Sequence, residues 1–294
     1  MTEHGLREKV QDGMVPKAEG YNTLMSDLTE LWMATENGGT LDETHAKSCL
    51  DQALDGLTDG SLCVVQSPTP CDHSDDAPWS VNIPLKQAIL MVFRFFNTAE
   101  QGFSSLWWDK IPLLLGQEKW KKDGTRVVPG AFIRHGAYLG KSCIIMPSFI
   151  NMGAHVGHKT MIDGGAHIGS CAFIGERCHI SANVTIGGVL EPLQALPVII
   201  EDEVFVGAGC QVVEGVHVGK GSILASGVVL TSSTKVIDRA TGKQIAGRIP
   251  AYSVIIPGTY ASGHYGLSIA CAIIAKTRQP EESPKTALTD ALRV

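Results

Sequence analysis

HVGHKTMIDGGAHIGSCAFIGERCHI, residues His155 to Ile180, returns an aliphatic side chain every six positions: Val156, Ile162, Ile168, Ile174 and Ile180. Six fits neither the 3.6-residue turn of a helix nor the two-residue alternation of a strand. The same phase runs back through Ile150 and Ile144 to Tyr138, and forward to Ile186. It resumes at Ile200, Val206, Val212, Val218, Leu224, Leu230 and Val236. Four residues after each comes something small or branched, such as Ser142, Ser148, Ala154, Thr160, Ala166, Ala172 and Cys178. The next residue is often glycine, at 157, 169, 175, 187, 207 and 219.

A parallel β-helix explains this filter. Three faces of six residues close one triangular coil, and each inward aliphatic stacks on its counterpart in the next coil. Glycine after the inward residue helps the chain turn the corner. The fourth-on position must be small, because side chains from three faces converge in a narrow prism. Between Ile186 and Ile200 the interval is fourteen residues, read as two repeats plus two. GGVLEPLQALPV is therefore expected to form a protruding loop near 187–199.

The flanks read differently. Residues 1–100 form an expected N-terminal α/β domain, with helices over YNTLMSDLTELWMAT, LDETHAKSCLDQAL and IPLKQAILMVFRFF, and a short strand at SLCVVQS. SPTPCDHSDDAP reads as a loop from its prolines and like charges. Residues 101–130 are a connecting segment, 131–258 the β-helix and 259–294 a C-terminal strand and tail that cap it.

Composition narrows the function. A net charge of −6 argues against a nucleic-acid surface, and no run of ~18 apolar residues suggests a membrane span. The start, MTEHGLREKV, lacks the apolar core of a secretion signal. Eight cysteines without CxxC pairs are expected as reduced, mostly buried thiols in a cytoplasmic protein.

This six-residue solenoid resembles the hexapeptide-repeat acyltransferases. That resemblance implies a left-handed coil, a homotrimer and an acyl-CoA co-substrate bound in grooves between prisms. The motifs TRVVPGAFIRHGAYL, IMPSFINMGAHV, MIDGGAHIGSCAFIG, GGVLEPLQALPVIIED, VVEGVHV and DRATGKQIAGRIPAYSV are similar to those of the tetrahydrodipicolinate N-succinyltransferases. The similarity covers roughly residues 80–294, and GGVLEPLQA is its most specific part. It implies succinyl transfer from succinyl-CoA to the amine of the ring-opened substrate, in lysine and diaminopimelate biosynthesis. No resident cofactor or metal is implied, and the partners are the two small-molecule substrates.

Amine attack on a thioester needs proton removal, oxyanion stabilisation and alignment. Asp163, in MIDGG, sits at a corner where most turns carry glycine; on residues alone it is equally a turn-capping acid. The resemblance makes it an acceptor-binding and catalytic candidate, and makes Arg126 the fork for a substrate carboxylate. Glu191, in the loop, is a second catalytic candidate that would act across a subunit boundary. Glu214 is a weaker one. Members of the family read SEVVEGV where this chain has CQVVEGV, and Gln211 cannot act as a base. The base is thus Asp163, Glu191 or water held by them. Lys220, Lys235 and Arg248, with Arg239 nearby, are the cations available for CoA phosphates.

Three rival readings remain open. An acetyl-CoA-dependent enzyme would use the same coil and amine chemistry. A γ-class carbonic anhydrase also uses a six-residue β-helix, with three histidines on zinc. Here His155, His167 and His179 fall on different faces, while His179 and His217 are expected to share one, two coils apart. A non-catalytic scaffold would have no use for GGVLEPLQA.

Overall fold

Each six-residue repeat forms a two-residue strand and a corner in the computed structural model, which describes residues 18–39, 41–67, 79–101, 107–263 and 266–292. The strands stack into three parallel walls of a prism. The first wall runs Arg126–Val127, Ile144–Ile145, Met161–Ile162, His179–Ile180, Phe205–Val206 and Ile223–Leu224. The second runs from Phe132–Ile133 through Phe149–Ile150, His167–Ile168, Thr185–Ile186 and Gln211–Val212 to Val229–Leu230. The third runs from Tyr138–Leu139 through His155–Val156, Phe173–Ile174, Ile199–Ile200 and His217–Val218 to Arg248–Ile249. The second residue of each pair points inward: Ile145, Ile162, Ile180, Val206 and Leu224 are all fully buried on the first wall alone.

Three features depart from the expected register. Before Ile150 the inward residues are Ile133, Leu139 and Ile145; Tyr138 and Ile144 face outward. The corner between Ile145 and Phe149, at Met146–Pro147–Ser148, is one residue short, which shifts the phase by one. Coil structure thus begins at Arg126, and Ser142 is exposed rather than internal. Second, Phe173 pairs with Ile199 at an interval of 26 residues, against 18 between His155 and Phe173. The excursion within residues 187–198 is therefore eight residues in excess of one repeat, not two in excess of a pair. His217 consequently lies on the third wall with His155, and His179 on the first. Third, Val236 leaves the coil. It is buried in a hairpin with Ile245, and the coil resumes at Arg248.

Both excursions occur at the corner between the second and third walls. Above the last coil, the strands Ser253–Ala261 and Ser268–Thr277 form an antiparallel pair that extends the first wall. The helix Pro284–Leu292 packs Ala287 and Ala291 over Ile223 and Val254.

The N-terminal unit closes the third wall. Helix α1 (Ala18–Glu36), helix α2 (Glu43–Asp59) and helix α3 (Ile83–Phe95) bury a shared apolar seam that also takes in Met152 and Cys171 of the prism. Capping sets their ends. Asp42 accepts from the Thr44 and His45 amides at 2.9 and 3.2 Å, and Gly60 ends α2 in the left-handed region. Asn82 caps α3, with Pro84 tolerated in its first turn. Val65–Gln66 pairs with Ser80–Val81 as a two-stranded ribbon. SPTPCDHSDDAP falls almost wholly outside the described residues, as does Cys71.

An aromatic column marks the contact. Tyr138 stacks on His155 at 4.6 Å, His155 on Phe173 at 4.8 Å, and Trp79 leans on Phe173 and His217. Burial, with His158 close by, drops the His155 imidazole from 6.5 to about 3. It is neutral in the folded chain, while the unfolded chain takes up its proton below pH ~6.5. The unfolded state therefore binds the extra proton, so stability falls as pH drops from ~6.5 toward 3. His155→Phe should flatten that fall. Urea midpoints of both proteins at pH 8, 6 and 5 check this, and parallel losses in the two would refute it.

Candidate active site

Asp163 follows the inward Ile162 at the corner between the first and second walls. Its Oδ1 accepts the Gly164 amide at 2.7 Å, which fixes the carboxylate on the outer surface. The corner closes through Gly165 (φ +72°), where a Cβ would fall 2.2 Å from Asn183 Oδ1. A side chain there would have to adopt the left-handed region and displace Asn183. Asp163 Oδ2 faces His179 Nε2 at 4.0 Å, within ion-pair reach and beyond a hydrogen bond. His179 stands one strand above Met161, its ring edge-on to Phe205 at 5.2 Å. Its Nε2 is shielded from solvent and has no hydrogen-bond partner among the described residues.

Arg126 occupies the first strand of the same wall, in register below Ile144 and Met161. Two strand spacings separate it from the Asp163 strand, about 9–10 Å. Its side chain is exposed and has no partner among the described residues. Arg126, Asp163 and His179 thus share one open wall. The first two are candidates from the sequence; His179 enters there only among the histidines weighed as zinc ligands.

Glu191 is not brought to this site within one chain. It lies exposed at the corner between the second and third walls, before a cis peptide to Pro192. The loop is tied down rather than free. Lys86 of α3, completely buried, donates from Nζ to the Ala195 carbonyl at 2.6 Å and the Pro192 carbonyl at 3.4 Å. Burial pulls the Lys86 ammonium below its ordinary pKa, partly offset by Cys171. Sequence reading missed Lys86; its signal is a lone cation inside an otherwise apolar helix face.

Glu214 has a structural partner: it accepts the Ser232 amide and hydroxyl, joining the coil to the second excursion. Gln211 is exposed on the second wall. Of the expected CoA cations, Lys220 and Arg248 gather near Glu201. The Lys220 amide donates to Glu201 Oε2 at 2.8 Å, and Lys220 Nζ lies 3.8 Å from Glu203. Burial pushes the Glu201 carboxyl up, but the 2.6 Å bond to His217, the Lys220 amide and the Arg248 charge together hold it below its ordinary value. Lys235 lies apart, 4.3 Å over the Tyr260 ring. Arg239 is exposed. His155, His167 and His179 stand on the third, second and first walls and converge on no common point.

Residues 197–232 match the family model for the hexapeptide repeat of succinyl-transferase. The chain is 41% identical over 283 residues to the 2,3,4,5-tetrahydropyridine-2,6-dicarboxylate N-succinyltransferase of Bradyrhizobium diazoefficiens, covering 92% of this chain and 99% of the relative. It is 42% identical to the enzyme of that name from Methylorubrum populi, covering 93% and 99%. The chain belongs to the tetrahydropyridine-dicarboxylate N-succinyltransferase family. Among solved structures, a Campylobacter jejuni protein described as a tetrahydropyridine-carboxylate N-succinyltransferase aligns with a TM-score of 0.52 at 16% identity. That alignment covers 76% of this chain and 62% of the other, and supports the fold alone.

In this N-succinyltransferase the loop anchor is directly testable. Lys86→Met leaves two loop carbonyls without their charged donor, a loss of about 1.5–3 kcal/mol. Hydrogen exchange of the amides in residues 193–198 should quicken at least ~10-fold, with α1 and α2 unchanged. Unchanged loop exchange would show that Lys86 does not hold it.

Proposed function

We propose that the protein transfers the succinyl group of succinyl-CoA to the amine of L-2-amino-6-oxopimelate, the ring-opened acceptor, in lysine and diaminopimelate biosynthesis. Family membership supports the reaction. The observation that carries the site is Asp163 facing an orphaned His179 Nε2 on the wall that also presents Arg126.

The amine must be neutral to attack. Its nitrogen bonds to the thioester carbon, the new ammonium gives up a proton, and the C–S bond breaks to release CoA thiolate, which recovers a proton. Asp163 and His179 are the groups positioned to accept the first proton. Such positioned transfer contributes ~10²–10⁴-fold. Arg126 offers a guanidinium fork to an acceptor carboxylate. The donor's phosphates are assigned to Lys220 and Arg248, on the upper coils, and to Lys235 of the hairpin that leaves them. No resident cofactor takes part; CoA is consumed as a co-substrate.

The solenoid is assigned the left-handed sense, in keeping with its hexapeptide family. A homotrimer is part of the proposal. The wall next to the site exposes Phe132 and Val229, and Glu191 sits at another corner of its own chain, so it can meet Asp163 only from a neighbouring subunit. The proposed division keeps the boundary near 100, but the coil strands begin at Arg126 rather than 131, and the first strand of the C-terminal cap, Ser253–Ala261, already crosses residue 258. Among the described residues no helix is long and apolar enough to cross a membrane. Cytoplasmic residence belongs to the proposal.

Thiol release from succinyl-CoA and acetyl-CoA, with and without the acceptor, tests the reading. Release should need both succinyl-CoA and acceptor; preference for acetyl-CoA would overturn the donor assignment. Asp163→Asn should lower kcat tenfold or more with circular dichroism and oligomeric state intact. Arg126→Ala should raise the acceptor KM about tenfold or more with a smaller change in kcat, as loss of a charged hydrogen bond requires. Near-normal kinetics in either variant would remove that residue from the mechanism.

A further inference from the structure

A second cluster of donor side chains lies away from the prism, where α1 meets α2. His45 and Cys49 sit four residues apart on α2 and so share one helix face. Asp27 projects from α1 to meet them. One ligating atom from each of the three lies within 4.8 Å of the others. Cys49 Sγ is 3.6 Å from His45 Nε2. A tetrahedral zinc with Zn–S ~2.3 Å and Zn–N ~2.0 Å would hold those two donors roughly 3.6 Å apart. The two α2 donors already stand at the separation that a bound ion would demand, and the Asp27 carboxylate of α1 comes within 4.8 Å of them.

We propose that Asp27, His45 and Cys49 form a binding site for a divalent transition cation of the zinc class. Three protein donors of mixed softness suit zinc or cobalt, and disfavour magnesium and calcium, which take oxygen-rich shells. Cys49 binds as thiolate, releasing its proton to solvent as the metal–sulfur bond forms. The fourth position opens toward solvent beside the exposed His45, and water fills it. Since the donors come from two helices, the ion cross-links α1 to α2. Those helices share one apolar seam with α3, which carries the loop anchor Lys86. The site stands independently of the acyl-transfer chemistry, and no residue is common to both.

Cobalt is the informative probe, because a thiolate ligand gives a near-ultraviolet sulfur-to-cobalt charge-transfer band. Full-length protein, stripped with a chelator, is titrated with Co²⁺ and then with Zn²⁺. One equivalent of Co²⁺ per chain should bring up the band, and Zn²⁺ should abolish it by displacement. Cys49→Ser should eliminate the band. His45→Ala, at an exposed side chain, should weaken binding at least tenfold while leaving the Tm of metal-free protein unchanged. Asp27→Asn should weaken it to a lesser degree. Zinc should raise the Tm of the parent protein and not that of His45→Ala. No band in the parent protein, or a band and affinity that survive His45→Ala, would overturn the site; that variant decides the matter even if Cys49→Ser fails to fold.

Discussion

Stacking of each inward aliphatic on its counterpart one coil away is the constraint on which the rest of the molecule depends. Ile162 lies between Ile145 and Ile180 on the first wall, and the three are completely buried. Each coil is joined to its neighbours by backbone bonds such as Met161 N to Cys178 O, Asp163 N to Ile180 O and His167 N to Val184 O. A one-residue slip in a strand exchanges its inner and outer faces. The inward stack therefore also fixes the outer columns. Arg126, Met161, His179 and Phe205 form a single file because the aliphatics beside them do.

Departures from the period are confined in a way that leaves that file bare. The eight-residue loop and the hairpin of residues 231–247 both leave from the corner between the second and third walls. Glu214, in the coil between them, is bonded to Ser232 of the hairpin. The third wall is roofed by the N-terminal helices and the Trp79 side chain. The C-terminal strands and helix cover only the top of the first wall. Among the described residues, what remains open is the lower first wall and the corner that follows it. Asp163 stands there.

The period was legible because burial inside a narrow prism filters residue types at every turn. Its phase near the start was not. Tyr138 and Leu139, like Ile144 and Ile145, are adjacent apolar residues, and either member can be read as inward. The three-residue corner at Pro147 decides between them. Likewise a fourteen-residue gap divides as six and eight or as twelve and two, and only backbone pairing distinguishes these. From that ambiguity came the misplacement of His217. Asp163 stood out as an acid where glycine is usual, and its role and that of Arg126 came from family resemblance. His179 was invisible as a partner, since its approach to Asp163 follows from register one coil apart. Asp27 was equally hidden from His45 and Cys49, being on another helix.

The unpaired His179 nitrogen has a meaning in this frame. A buried polar atom without a partner costs about 1–3 kcal/mol, and native chains seldom keep one without compensation. Rotating Asp163 toward His179 would remove the deficit, but the Gly164 amide holds one carboxylate oxygen, and Gly165 fixes the turn beneath it. The pair is therefore kept short of closure by the corner itself. A group carrying a proton between the two side chains would satisfy both at once, gaining energy that the resting chain cannot. An attacking amine brings such a proton as it bonds to the acyl carbon. In the proposed mechanism the mismatch at rest would become stabilisation during reaction, which is the condition for raising kcat rather than merely tightening binding.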